Sequence, residues 1–233
     1  MKPICLPFAA ATGQVVKTVQ WKFAAGIQLP EEMTKTATIR IDIKALQQQM
    51  VQRYRIHPES FSRAMAALAA LGEPVAFSKG GLLQRQGELA RHFFWLTQGV
   101  ARTAFTNSAG REVTLRFAAE SEIAGAHEDL LRGEQGLPAL SFVVAERPLM
   151  AFRFHWQQVR QLEQEGRLPA DFLLRIAEYN LHKQAMRAQL GGLPDAREKL
   201  AAFRRDYPEL EGRITRKSIA SYLDVTPQYL SQL

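Results

Sequence analysis

The feature that most constrains this chain is a change of period. Between Glu73 and Phe154 apolar residues recur at every second position, whereas on either side they recur at every third or fourth. Val75 and Phe77 alternate with small residues. Val113, Leu115 and Phe117 alternate with Glu112, Thr114 and Arg116, and Met150, Phe152 and Phe154 alternate with Ala151 and Arg153. Turn signals divide the runs: Lys79-Gly80-Gly81, Gln86-Gly87-Glu88, Gln98-Gly99, Ser108-Ala109-Gly110, and the stretch from Arg132-Gly133 to Gly136. Short strands at such regular spacing predict a β-roll or β-sandwich.

Helical periods flank this core. From Ile43 to Leu71 they include Ala45, Leu46 and Met50, then Phe61, Met65, Leu68 and Ala69, with His57-Pro58-Glu59-Ser60 between them. Pro58 suits the first turn of the second helix, where a missing N–H costs nothing. Residues 1–40 keep no period, so 1–42 is expected to be a poorly ordered leader, with Met33 and Met50 as alternative translation starts. After Pro169 one stripe runs through Leu174, Ala177, Leu181, Ala185 and Ala188, and a second through Phe172, Ile176 and Tyr179. Two stripes let a helix pack on its own domain and on a partner at once, or twice within one chain; spacing leaves both open. Gly191-Gly192-Leu193-Pro194 is expected to end it through a left-handed glycine cap, and a short helix from Ala196 to Tyr207 follows.

Composition narrows the function classes. The 233 residues are 46% apolar and 23% charged, as in globular proteins. The single cysteine, Cys5, excludes an internal disulfide, a zinc site built on several cysteines and an iron–sulfur cluster. No run of eighteen apolar residues occurs, and Pro7 breaks the short apolar start, so no membrane association and a cytoplasmic location are expected. The net charge of +7 is spread unevenly: 9 basic against 4 acidic residues in 1–72, 10 against 11 in 73–166, and 11 against 8 in 167–233. A basic excess at the ends is compatible with nucleic acid, but it is weak on its own, because a solvated basic face is the commoner explanation.

The last twenty-one residues carry more. Ile219, Ala220 and Leu223 share one helical face, Asp224 breaks it, and Leu230 and Leu233 lie three apart on a second helix. Ala220 lets two helices cross at close range, Asp224 is one of the few residues other than glycine to tolerate positive φ, and Thr226-Pro227 is a cap followed by a first-turn proline. This is a helix-turn-helix pattern; an ordinary α-hairpin has no need of Ala220. Thr215, Arg216 and Lys217 can then reach phosphates. Gln228, Tyr229, Ser231 and Gln232 can reach base edges, with Thr226 and Pro227 beside them in the same contact set.

A glycine-punctuated β-roll, a long helix and a C-terminal helix-turn-helix, in that order, resemble the cyclic-AMP receptor protein and fumarate–nitrate regulator (Crp/Fnr) family of bacterial transcription regulators. The likeness runs over residues 45–233 and rests on Lys79-Gly80, Gln86-Gly87-Glu88, Phe94-Trp95-Leu96 with Gly99, Gly110-Arg111-Glu112-Val113, Phe117 and Glu122-Ile123-Ala124-Gly125. Its strongest part is Ile219-Ala220-Ser221-Tyr222-Leu223 followed by Val225-Thr226-Pro227. The resemblance implies an α+β fold: a cyclic-nucleotide-binding-like jelly roll over 43–168, a dimerisation helix over 169–192 and a helix-turn-helix domain over 193–233. It also implies double-stranded DNA, a second copy of the chain and RNA polymerase as partners, and no cofactor.

The effector cassette departs from the pattern. In cyclic-nucleotide-binding members a carboxylate follows the glycine and an Arg-Ser pair holds phosphate. Here Gly125 is followed by Ala126-His127-Glu128-Asp129, and the pair reads Leu140-Ser141. The implied effector pocket is therefore Gly125, Ala126, His127, Glu128, Leu140 and Ser141. Without the arginine, and with Glu128 and Asp129 repelling an anion if they face inward, cyclic AMP is not the expected ligand, unless Arg132 or Arg147 substitutes. His57, His92, His127, His155 and His182 are scattered without a pair at ligand spacing, so neither haem nor metal is expected. A cupin-like metal enzyme and a sensing module that does not touch DNA are the competing readings; no catalytic motif supports the first. The chain has only seven residues after Thr226, and such regulators generally continue with further basic residues, so weak DNA binding is expected of a shortened form.

Overall fold

The structure is a computed structural model that describes residues 43–232. The leader 1–42, with Cys5, and the terminal Leu233 lie outside the described residues. Helices α1 (Ile43–Tyr54) and α2 (Pro58–Leu68) open the chain, with Pro58 in the first turn as its ring requires. Eight strands follow: β1 (Glu73–Phe77), β2 (Leu82–Gln84), β3 (His92–Gln98), β4 (Ala101–Thr106), β5 (Glu112–Ala118), β6 (Ile123–Ala124), β7 (Phe142–Ala145) and β8 (Leu149–His155). Helix α3 (His127–Glu134) interrupts them. They form two antiparallel sheets of four, ordered β1-β8-β3-β6 and β2-β7-β4-β5. This is the roll that alternation and glycine turns predict. Then come α4 (Trp156–Gln164), α5 (Phe172–Gln189), α6 (Ala196–Asp206), α7 (Arg216–Leu223) and α8 (Pro227–Leu230).

The central strands are apolar on both faces because both faces are covered. Register pairs Phe93 with Phe154 and Trp95 with Phe152, and these four pack against Leu46, Met50, Phe61 and Met65 of α1 and α2. Their neighbours Phe94, Leu96, Leu149 and Ala151 point into the roll, where they meet Ala101, Ala118, Val143 and Ala145 of the other sheet. The second sheet thus brings small side chains against the larger ones of the first. Close approach also fixes Gly133 in α3, since a Cβ there would stand 2.3 Å from the Ala90 carbonyl oxygen.

Strand β5 departs from the alternation expected of it. Thr103 pairs with Arg116 and Ala104 with Thr114, so Leu115 is an extra residue without a cross-strand partner. This bulge reverses the facing: Thr114, Arg116 and Phe117 are buried, and Leu115 is exposed. The end of α5 also differs from expectation. It tightens into a 3-10 turn, Leu190–Gly192, and neither Gly191 nor Gly192 adopts positive φ. Leu190 is buried and draws the turn inward, Leu193 N–H donates to the Leu190 carbonyl, and the extended Leu193 meets the demand of Pro194.

One apolar cluster joins the roll to the C-terminal helices. Val100, Phe117 and Ala119 pack with Leu190, Phe203, Tyr207, Leu210, Tyr222 and Leu223, and the Phe117 ring lies 5.7 to 6.1 Å from those of Phe203, Tyr207 and Tyr222. The bulge makes a paired prediction: Phe117→Ala is expected to cost about 3–5 kcal/mol in urea denaturation, while Leu115→Ala stays within about 0.5 kcal/mol of the parent. Equal losses would contradict this facing of β5.

Candidate nucleic-acid interface and sensor cassette

The C-terminal unit is built as its caps dictate. Thr215 is the N-cap of α7, and its hydroxyl accepts from Ser218 N–H at 3.1 Å. Asp224 ends α7 in the left-handed region (φ 56°, ψ 48°), and Val225 N–H returns to the Ala220 carbonyl at 3.0 Å. Thr226 caps α8, accepting from Tyr229 N–H at 3.2 Å, with Pro227 at its first position. Ile219, Ala220, Leu223 and Leu230 are buried where the helices cross.

Thr215, Arg216, Lys217, Thr226, Pro227, Gln228, Tyr229, Ser231 and Gln232 are all exposed. They are not equally free. The hydroxyls of Thr215 and Thr226 are engaged as caps, and Ser231 Oγ donates to the Pro227 carbonyl at 2.9 Å. Among the described residues, Arg216, Lys217, Gln228, Tyr229 and Gln232 show no side-chain hydrogen bond. The second helix is a single turn ending at Leu230.

The buried side of α7 seals the free edge of β5. Ser221 Oγ accepts from Thr114 N–H at 2.9 Å and from Thr114 Oγ1 at 3.0 Å, and donates to the Glu112 carbonyl at 2.9 Å. Ser218 Oγ donates to Glu146 at 2.8 Å, and Glu146 pairs with Arg102 at 2.5 Å. Arg102 also reaches Glu112 at 2.9 Å. Arg111 pairs with Asp224 at 2.5 Å, Arg147 donates to the carbonyls of Gly212 and Arg213 at 2.8 and 2.6 Å, and Arg213 pairs with Glu120 at 2.6 Å. Burial alone would raise the Glu120 carboxyl; Arg213 and the backbone amides outweigh it and hold it below the usual range. Sequence reasoning missed these ties. Their one trace is a pair of serines three apart on a helix face otherwise made of Ile219 and Tyr222.

Helix α5 lies along both units. Tyr179 O–H donates to the buried Glu122, which also pairs with Arg53 of α1 at 2.8 Å. Asn180 accepts from Arg116, a buried guanidinium whose other partners are the carbonyls of Ile123 and Gly125. Lys183 sits 4.0 Å from the Tyr207 ring centroid, its ammonium held below the usual range by burial against the opposing pull of Glu122. Arg187 lies 5.2 Å over the Tyr222 ring, and burial pushes the Tyr222 phenol up to about 12. The opposite side carries Leu174 and Leu181, 56% and 66% exposed.

The expected effector residues fall in two places. Gly125, in a left-handed conformation (φ 125°), leads through Ala126 into α3, and with His127 it borders a cavity of about 20 Å3 beneath α5, room for one water. His127 stands 5.5 Å from the Trp156 ring, and burial followed by Arg160 holds it below the usual imidazole range. Glu128 and Leu140 are exposed, so Glu128 does not face inward as the repulsion argument required; Asp129 does. Ser141 is buried against Asp129. The two arginines considered as substitutes are engaged elsewhere: Arg132, on α3, donates to the Pro138 carbonyl, and Arg147 reaches the C-terminal unit. The histidines are less scattered than the sequence implies, since His92 and His155 are register partners whose rings meet edge to face at 5.0 Å. Among the described residues no three His, Cys, Asp or Glu side chains gather as a metal site, and no helix is long and apolar enough to cross a membrane.

No protein-family model matches the chain, and no curated protein does. Solved structures do. FixK2 from Bradyrhizobium japonicum superposes with a TM-score of 0.57 at 16% identity, over 70% of this chain and 82% of that one. The c-di-GMP-responsive global regulator CLP of Xanthomonas campestris gives 0.56 at 15% identity, over 76% and 89%. TTHA1359, a CRP/FNR-family transcriptional regulator from Thermus thermophilus, gives 0.51 at 16%, over 69% and 82%. The chain has the fold of these proteins, a jelly roll followed by a helical C-terminal unit. The edge contact predicts that Ser221→Ala, which strands the Thr114 N–H, costs about 1–3 kcal/mol by denaturation, whereas Ser231→Ala, on the exposed face, is near neutral.

Proposed function

We propose that this chain is a DNA-binding transcription regulator of the Crp/Fnr type, acting as a homodimer, with a β-roll that senses something other than cyclic AMP. The observation that carries the reading is the C-terminal unit. Every small, capping and positive-φ position of a helix-turn-helix is met, and Arg216, Lys217, Gln228, Tyr229 and Gln232 stand in solvent while Ile219, Ala220, Leu223 and Leu230 are buried. The regulators named above share the fold and support the same reading. Arg216 and Lys217 contact phosphates, and Gln228, Tyr229 and Gln232 read base edges in the major groove. RNA polymerase is a further partner, reached from DNA.

The dimer forms along α5. Leu174, Leu181 and Ala188 repeat every seven residues on the exposed side, with Ala177 and Ala185 between them, which is the spacing of a helix-pairing seam. Two reading helices then enter successive major grooves about 34 Å apart on a near-palindromic site. An effector acts by shifting the population between DNA-competent and DNA-incompetent dimers. The units are a roll over 43–168, a dimer helix over 169–192 and a DNA-binding domain over 193–233.

Gel shifts with the gene's own upstream region test this. Retention that weakens steeply between 50 and 200 mM salt is the expected result, roughly a thousandfold or more if six to ten phosphates are contacted. Gln228→Ala is expected to cost about 1–3 kcal/mol on the specific site and little on random DNA, whereas Lys217→Ala weakens both. Leu181→Glu is expected to yield monomers by light scattering and to lose binding with them. Absence of salt-sensitive retention by the parent protein counts against the regulator reading.

A further inference from the structure

Asp129 is a carboxylate 1% exposed, in the first turn of α3, and no cation pairs with it among the described residues. Its acceptors are filled from outside the helix. Oδ1 accepts from Leu140 N–H at 2.7 Å; Oδ2 accepts from Ser141 N–H at 3.2 Å, Ser141 Oγ at 2.5 Å and Gln84 Nε2 at 2.8 Å. Burying a carboxylate without partners is costly, and four converging neutral donors offset that cost here.

The donors are positioned by the roll and not by the aspartate. Gln84 ends β2, Ser141 precedes β7, and Gln84 Nε2 also donates to the Ser141 carbonyl at 3.1 Å. The loop before Ser141 is pinned by Gly87 N–H to the Ala139 carbonyl at 2.9 Å and by Ala139 N–H to the Glu88 carbonyl at 2.8 Å. Two backbone amides, a hydroxyl and a carboxamide aimed at one point form an oxyanion site by chemistry alone.

We propose that Gln84, Leu140 and Ser141 form a binding site for a small oxyanion, carboxylate or phosphate, and that Asp129 is its resident ligand. The chain fills the site from within, so an external phosphate-bearing molecule finds these donors already engaged, and the roll keeps its liganded arrangement without an added ligand. Calling that arrangement a sensor state rests on the regulator reading; the site itself does not.

The test trims the resident ligand in the full chain. Asp129→Ala is melted in sodium acetate, in inorganic phosphate and in sodium chloride at matched ionic strength. In chloride it is expected to melt on the order of 5 °C or more below the parent, and to regain at least half of that loss, saturably, in acetate or phosphate. The parent, melted in the same three salts, gives the general salt effect, and recovery is counted beyond it. Recovery no better than in chloride overturns the proposal. Should the alanine variant not fold in any salt, Asp129→Asn decides: it keeps the shape but turns an amide nitrogen toward the donors. It is expected to melt several degrees low and to ignore acetate, whereas stability equal to the parent's would reduce Asp129 to an uncharged staple and overturn the site. DNA retention of Asp129→Ala should rise with acetate in step with melting. Loss of retention by the parent itself counts against the regulator reading and leaves the anion result standing.

Discussion

Strand β5 is an edge strand, and an edge strand in a folded protein must have its outward N–H and C=O groups satisfied or left to water. In this chain Ser221 satisfies one of each, and Arg187 donates to the Thr114 carbonyl. One hydroxyl accepts from Thr114 N–H and donates to the Glu112 carbonyl, taking the part of a ninth strand with a single side chain. The consequences spread from there. The contact sets α7 against the roll, which brings Ser218 to Glu146 and Asp224 to Arg111, and closes the ring cluster of Phe117, Phe203, Tyr207 and Tyr222. The exposed ion pairs in this set add little each in water; the buried cluster and the sealed edge carry the attachment.

Helix α5 carries the same attachment along its length. Phe172 and Ile176 pack under the roll, Tyr179 and Asn180 meet the β5–β6 turn through Glu122 and Arg116, Lys183 meets α6, and Arg187 meets β5 and α7. These positions are three or four apart, so one face reads out the roll and the C-terminal unit in turn. The outer face, with Leu174 and Leu181, is the seam of the proposed dimer. A shift of the roll against α5 therefore reaches both the proposed dimer seam and the C-terminal unit, since packed elements move as bodies and do not deform smoothly.

Much of this was legible in the sequence, for local physical reasons. Period, glycine turns and caps depend on near neighbours, so the roll, α5 with its two stripes, Asp224 at positive φ and the Thr226-Pro227 start of α8 were all readable. What failed depends on distant residues. The bulge at Leu115 inverts β5, and alternation carries no sign of it because Thr114 and Arg116 look like solvent-facing residues. Ser218 and Ser221 look like ordinary polar helix residues until β5 lies beside them. Asp129 looks like a source of repulsion in the sequence, because its four donors come from segments 11 to 45 residues away. His92 and His155 meet only through the β3–β8 register.

The central claim is that α7 completes the β-roll, so that the C-terminal unit and the roll are one cooperative body. Hydrogen exchange at the single Thr114 amide tests it most directly. Protection equal to that of the amides in β4, at the centre of the same sheet, is the result this account predicts, because that N–H is released only when the two units part. Exchange at the rate of an open edge strand, while β4 stays protected, would contradict it.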